Sequence, residues 1–393
     1  MPSKYFFGTR HFFLAEEWVK KGHEVSIFTS NQNHLTDKLP KFKSRSFQET
    51  INGVKTHWLR TFISQSSGSL SRILSWIHFE YLVLKSGNRD ANAKKPDIII
   101  VSSLSLLSIL SGYYFSKKFH AQFILEIRDI WPLTAMELGG YSKWNPFILF
   151  LSWIEKLGYR NADVIVGTMP NLIEHVQNTV DKFQRCVCIP QGITNQQLNT
   201  FEKLPDEYIK KVFQRKAFRI AYTGTMNKAN PIETLLEVAK NMGPDAGIDF
   251  YFLGKGDEKP KYMQEYGSFD HIHFLDAIPK NQVRDFLNNV DVTYDSFYGG
   301  MAKYGLSRNK WIDYMAASKP IICSFSGYQS LINDAKCGVF VPENDQKALL
   351  QAIKEFKNLP SNELKEMGDN GRRYIEDYRT FDKLSSEYEL LFK

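Results

Sequence analysis

The apolar positions of the chain switch between helical and strand spacing. Between Lys4 and Ser30 a glycine-containing loop precedes Phe12, Phe13, Leu14, Trp18 and Val19 at helical spacing, a stop at Gly22 and a short run through Ser30, which predicts a loop, a helix and a strand. Asn52-Gly53, inside the β-rich stretch Ile51–Arg60, predicts a hairpin or strand pair. Leu70–Lys85 carries apolar and aromatic residues at helical spacing, the pattern of a core helix or of one lying at a membrane interface. Pro96-Asp97 opens a strand Ile98–Val101, a Ser- and Leu-rich helix follows to Lys118, and Gln122–Ile127 is the next strand. Trp144–Tyr159 is nearly apolar on every side before Glu155, so it is buried or meets lipid. A polar, charged segment, Thr194–Ala217, separates this half from a second alternation. There, strand Phe218–Thr223, a helix from Pro231, strand Asp249–Gly254, a strand and turn over His271–Pro279, a helix turn Tyr314–Ala317 and strand Ile321–Cys323 follow in order. A charged helix from Leu364 to Tyr378 and the segment Phe381–Phe392 close the chain. The pattern is that of α/β domains, and 393 residues with 43% hydrophobic content are enough for two of them.

The net charge of +7 suits an anionic substrate, an anionic membrane surface or nucleic acid. The basic residues are not clustered with aromatics on one segment, which argues against nucleic acid. Of the four cysteines, Cys186 and Cys188 form a C-x-C in an apolar strand, which is not zinc-ligand spacing, and Cys323 and Cys337 have apolar flanks. His271 and His273 alternate on a strand without carboxylate company, so no metal is expected. Reduced thiols, no signal peptide and no bilayer-length apolar run predict a cytoplasmic protein.

Candidate chemistry concentrates in Gly305–Ile322. Ser307-Arg308-Asn309-Lys310 falls where a helix begins, so hydroxyl and amide groups, backbone N–H groups and two positive charges meet. That set suits a diphosphate, and Asp313, one turn on, is placed to accept hydrogen bonds from ribose hydroxyls. The same residues also suit an ordinary capped amphipathic helix. Gly224-Thr225-Met226-Asn227-Lys228 follows a strand and leads to a helix started by Pro231. Gly254-Lys255-Gly256-Asp257 forms a second glycine turn at a strand end. Glu126-Ile127-Arg128-Asp129-Ile130-Trp131-Pro132 lies at the carboxyl end of a strand, where parallel sheets place their ligand sites. Asp129 is there the candidate to take a proton from an attacking hydroxyl. Its alternative role is an ion pair with Arg128 or a cap on the next segment.

Ser307, Asn309, Lys310, Asp313, Tyr314, Met315, Lys319 and Pro320 resemble the donor-binding signature of family 4 glycosyltransferases. The match is to the branch that builds bacterial surface polysaccharides such as O-antigen or capsule. Arg308 and Ser318 stand where that branch has Pro and Gly. Gly305 and Asp313 occupy the wider family's two glutamate positions, so one acid remains. Glu126–Pro132 resembles the branch's E-x-R-D-x-W-P, Gly8-Thr9-Arg10 its first glycine turn, Tyr159–Val166 a later strand entry, and Pro190-Gln191-Gly192 the end of its first domain.

The resemblance implies the α/β GT-B fold, two Rossmann-like domains facing across a cleft. Residues 1–192 would form the acceptor-side domain, 193–217 a linker and 218–378 the nucleotide-sugar domain, with 379–393 returning to the first. Only Met1–Lys4 precede the first loop, so the first domain is expected to lack its first strand. The implied reaction is retaining transfer from a nucleotide-diphosphate sugar, most simply a UDP-sugar, to a saccharide on polyprenyl diphosphate at the inner face of the plasma membrane. Neither cofactor nor metal is expected. The implied donor residues are Gly8, Thr9, Arg10, Gly224, Thr225, Lys228, Gly254, Ser307, Asn309, Lys310 and Asp313. Glu126, Arg128 and Trp131 fall on the acceptor side, with Asp129 as the catalytic acid/base. The family's diphosphate-binding Arg and Lys are replaced by Thr225 and Asn230, so Lys310 and Arg308 are expected to supply the charge. The helices in Leu70–Lys85 and Trp144–Tyr159 would meet the membrane. Two further readings are a nucleotide-sugar epimerase of the same fold and a non-catalytic or truncated GT-B subunit.

Overall fold

Asn52 and Gly53 both take positive φ, 50° and 80°, as a tight two-residue hairpin requires. They join strands β2 (Ser46–Ile51) and β3 (Val54–Leu59), which pair antiparallel, while β1 (Ser26–Ser30) lies parallel along the other edge of β3. This is a computed structural model, and it describes residues 5, 9–32, 39–62, 70–102, 105–298 and 303–393. The chain divides into two units, residues 1–190 with 381–393, and residues 191–380.

In the first unit a second, fully parallel sheet has the order β4 (Ile98–Ser102), β5 (Gln122–Ile127), β6 (Val164–Gly167) and β7 (Cys186–Cys188). All residues of β5 and β6 are buried, as expected of inner parallel strands covered on both faces. Among the described residues no strand joins the two sheets. The helix Arg10–Lys20 joins them instead. Its Phe12 and Ala15 pack with Ile51 and Val54, and its Leu14 and Trp18 pack with Ile124, Val164 and Val166. The C-terminal helix Phe381–Glu389 completes that second cluster with Phe381, Leu384 and Tyr388. The residues bearing on an absent first strand, Met1–Lys4, lie outside the described ones, as does Gly8.

The second unit holds a six-stranded parallel sheet. Its order is β10 (Ile272–Leu275), β9 (Ile248–Leu253), β8 (Phe218–Thr223), β11 (Val292–Ser296), β12 (Ile321–Ser324) and β13 (Gly338–Val341). Successive side chains face opposite layers. Ala221, Tyr251, Ile321 and Cys323 pack toward the helix Asn309–Ala316. Ile220, Tyr222, Phe250 and Ile322 pack toward the helices Glu233–Met242 and Gln346–Asn358. The segment 193–217, expected as a linker, is built into this unit. It carries the helices Asn195–Asn199 and Asp206–Val212, the first held by a capping box between Thr194 and Gln197. Leu198 and Leu204 are buried in the core. Polar composition concealed these anchors, together with Ile193 and the partly buried Tyr208, Ile209, Val212 and Phe213 that pack against the same core.

Candidate active site

In the second unit two glycine turns meet at the carboxyl ends of β8 and β9. Gly224 and Gly254 have φ of 142° and 156°, values that favour glycine. A Cβ on Gly254 would stand 1.9 Å from the Gly224 carbonyl oxygen, so only glycine allows the backbones this close. The amide of Gly224 donates to the Leu253 carbonyl at 2.9 Å, and that of Met226 to the Lys255 carbonyl at 2.8 Å. The result is a rigid floor of main chain, with Thr225 and Lys228 exposed above it.

Lys310 reaches this floor from the first turn of the helix Asn309–Ala316. Its Nζ lies 3.1 Å from where a Gly224 Cβ would be and 4.0 Å from the centroid of the Tyr222 ring. Asp295, wholly buried at the end of β11, organises the cations. It accepts from Trp311 Nε1 at 2.7 Å and pairs with Arg308 Nε at 2.7 Å and Lys310 Nζ at 3.0 Å. Arg308 also donates to Asn230, whose Nδ2 donates to the Thr225 carbonyl at 3.1 Å. Despite their proximity, Lys310 Nζ and Asp295 Oδ1 have no aligned hydrogen-bond partner among the described residues. Burial pulls the Lys310 ammonium down to about 8, against the attraction of Asp295 and with the help of Arg308. A buried, incompletely satisfied cation costs free energy until an anion arrives.

The other expected donor residues divide. Asn309 is exposed at the helix start, which has no side-chain cap. Ser307 Oγ is engaged, accepting from the Gln191 amide at 2.8 Å. Asp313 is partly exposed and ion-paired with Lys280, so a ribose contact there requires Lys280 to turn away. Arg10, expected at the donor, is instead buried in the first unit. Its Nε donates to Glu126 at 2.9 Å and its Nη2 to the Ile189 carbonyl at 2.7 Å. Glu126, expected on the acceptor side, is likewise consumed. It takes Arg10, His11 Nε2 at 2.6 Å and the Tyr388 hydroxyl, and against the burial that opposes it the Arg10 guanidinium, with the contact from His11, holds its carboxyl well below the usual range. This network ties the first helix, β5 and the C-terminal helix together, a structural role. Thr9 is the N-cap residue of the first helix and makes no side-chain cap bond.

Asp129 differs from Glu126. It lies two residues past β5 with its side chain at the surface, and the surrounding protein raises its carboxyl above the usual range, against the pull of Arg128. Trp131 follows, edge-on to Trp76 with ring centroids 6.4 Å apart.

Two family models match the sequence, the glycosyl transferase 4-like domain over residues 11–192 and the glycosyl transferases group 1 domain over residues 217–358. The chain is a glycosyltransferase of the family 4 type. No curated protein matches it. Solved structures similar to this glycosyltransferase include sucrose-phosphate synthase from Thermosynechococcus elongatus, at 17% identity and TM-score 0.74 over 98% of this chain and 93% of that one. Anabaena HepE in complex with UDP-glucose matches at 11% identity and TM-score 0.60 over 86% of each chain. WaaG, a glycosyltransferase involved in lipopolysaccharide biosynthesis, matches at 12% identity and TM-score 0.63 over 98% and 95%. The fold is GT-B, two α/β domains built on parallel sheets.

Sequence reasoning missed Asp295 and Lys280. Asp295 sits in an apolar strand directly after Tyr294. A carboxylate at the last turn of a central parallel strand was the signal available for it.

Proposed function

We propose that this glycosyltransferase moves a sugar from a UDP-sugar to a lipid-borne saccharide, with retained anomeric configuration, in the assembly of a bacterial surface polysaccharide. The observation that carries the donor assignment is the incompletely satisfied ammonium of Lys310 above the paired glycine turns. A diphosphate laid on the Gly224 turn would meet Lys310, Arg308 and the uncapped amides of the helix Asn309–Ala316. Fixed cations and N–H dipoles of this kind stabilise a leaving diphosphate where other enzymes use a metal. The UDP-glucose bound to HepE supports the choice of base.

A thermal-shift titration tests the donor assignment. UDP at a hundred times its Kd is expected to stabilise the protein by about 2.7 kcal/mol, with EDTA present as without it. A protein that no nucleoside diphosphate stabilises would overturn the reading. The affinity is also expected to fall as pH rises from about 7 to about 9, because Lys310, with its ammonium at about 8, loses its charge in that interval. Lys310→Arg should flatten the profile, since guanidinium stays charged. Calorimetric titration at several pH values reads both.

The lipid-borne acceptor and a seat on the inner membrane face are supported by two helices. On Leu70–Ala93, Leu74, Ile77 and Tyr81 are exposed, and on Pro146–Asn161, Leu149, Phe150 and Trp153. Among the described residues no helix is long and apolar enough to cross a membrane, so the contact would be interfacial. Flotation with anionic liposomes should carry the protein upward at low salt and less at high salt, where surface attraction is screened. Sedimentation away from the vesicles at every ionic strength would remove the membrane from the proposal.

A further inference from the structure

The same two helices, with the helix Ser108–Phe119, enclose a cavity of about 490 Å³ in the first unit, within the size range of small-molecule sites. Its wall is mostly Ile73, Trp76, Leu84, Leu106, Leu110 and Leu151. Ile77, Tyr114 and Phe150 line the cavity and are also exposed, so its mouth opens among the surface apolar residues. Ser105 and Trp131, just past the carboxyl ends of β4 and β5, line it as well. Those strands pair with Ser102 opposite Glu126, so this part of the lining shares the sheet edge that carries Asp129.

Little in the wall would recognise a polar ligand. Glu80 is the carboxylate there, and both its oxygens accept from serine hydroxyls, Ser108 Oγ and Ser111 Oγ at 2.6 Å each. Burial raises its carboxyl above the usual range, against the pull of the two serine hydroxyls. The carbonyl of Asn88 accepts from Lys118 Nζ, and its amide donates to the Leu84 carbonyl at 2.6 Å. Ser105 Oγ is buried and has no partner among the described residues. The unpartnered polar group therefore sits just past β4, on the sheet edge that also carries Asp129, while most of the remaining wall is hydrocarbon-like.

We propose that this cavity holds a hydrocarbon chain, the tail of the acceptor's lipid carrier. The tail enters from the membrane-facing mouth past Ile77, Tyr114 and Phe150, and its polar end emerges beside Ser105 and Trp131. The assignment rests on the lipid-borne acceptor proposed above. It explains why an apolar cavity is lined in part from the sheet edge that carries the acceptor-side carboxylate: a tail fixed in the wall carries the sugar to Asp129 at a set distance, and the orientation of the reacting hydroxyl is settled before transfer.

The test uses the full chain and geranylgeranyl monophosphate as probe, read by quenching of tryptophan fluorescence. Binding should saturate and should resist displacement by inorganic phosphate. Two variants narrow the cavity: Leu110→Trp in the wall, and Ile77→Trp at the exposed mouth, where added bulk leaves the core untouched. Each should weaken the probe about tenfold or more, a loss of about 1.4 kcal/mol or more, while UDP affinity stays that of the parent. Equal probe affinity in parent and both variants, or displacement by inorganic phosphate, would overturn the assignment. Transfer assays separate it from the reading beneath it. If parent and variants all favour a lipid-borne over a water-soluble acceptor to the same degree, the cavity assignment fails and the acceptor class stands. If the parent shows no such preference, the acceptor class itself fails, and with it the tail's identity.

Discussion

Replacing Asp129 with asparagine is expected to slow sugar transfer by about 10²–10⁴-fold, the usual contribution of a general acid or base, while UDP affinity stays unchanged. The two effects separate because the residues belong to different units: Asp129 follows β5 in the first, whereas Lys310, Arg308 and the glycine turns belong to the second. Three structural facts favour Asp129 over its neighbour Glu126. Glu126 is wholly buried and consumed by Arg10, His11 and Tyr388. Asp129 reaches the surface at the carboxyl edge of a parallel sheet. Its carboxyl is raised by desolvation more than Arg128 lowers it, which moves a carboxylate toward the basicity that proton transfer near neutral pH rewards. The same shift gives the direction of the pH profile. As pH falls toward the raised carboxyl value, the base becomes protonated and turnover should decline, and in Asp129→Asn that acid limb should vanish. Normal turnover by Asp129→Asn would leave the acceptor-side base unassigned. An unchanged acid limb in the variant's residual activity would move the titration to another group.

Much of this molecule was legible in its sequence because two kinds of signal agree there. Asn52-Gly53 specifies a hairpin by local stereochemistry alone, and the hairpin forms at those residues. In the second unit β8 spans Phe218–Thr223 as its apolar run says, and β9 and β12 end within one residue of the expected Gly254 and Cys323, whereas β11 and β13 carried no pattern that picked them out. What escaped the sequence is the fate of individual charges. Arg10 and Glu126 belong to motifs that suggest ligands, yet they are 116 residues apart in sequence and neutralise each other in the core. Nothing local to either residue announces such a partner. Asp313 and Lys280 pair in the same long-range way. The segment 193–217 misled through composition, since Ile193, Leu198 and Leu204, with Tyr208, Ile209, Val212 and Phe213 packed against the same core, decide its packing while polar residues dominate its appearance. The exposed aromatic face of Pro146–Asn161 is the converse case. Its sequence is apolar all round, but the core takes one side, through Ile148, Leu151 and Ile154, and leaves Phe150 and Trp153 at 45% and 54% exposed.

The largest stability effect is expected at Asp295, which no sequence motif marked. Its carboxylate is buried with Arg308 at 2.7 Å, Lys310 at 3.0 Å and the Trp311 indole at 2.7 Å. The pairing is not in itself strongly stabilising, because all three ions and dipoles had to leave water. Removing one member is another matter, since it strands the other charges in a low-dielectric core. Breaking a buried pair in this way costs about 3–5 kcal/mol. Asp295→Ala should therefore lower the melting temperature by on the order of 10 °C for a unit of this size. Amide exchange in the peptides covering Val292–Ser296 and Asn309–Ala316 should rise, while β5 and β6 in the first unit stay protected. Asp295→Asn keeps an acceptor for Trp311 but no charge for the cations, so it should fall between parent and Asp295→Ala. Both variants should also bind UDP more weakly, because Lys310 and Arg308 lose the anchor that aims them at the Gly224 turn. The Asn variant matters most for that measurement, since it retains more of the fold. If Asp295→Asn unfolds with the parent and binds UDP with parental affinity, Asp295 is a bystander. The cations would then be held by Asn230, the Tyr222 ring and the Phe297 ring, which Arg308 overlies at 4.7 Å.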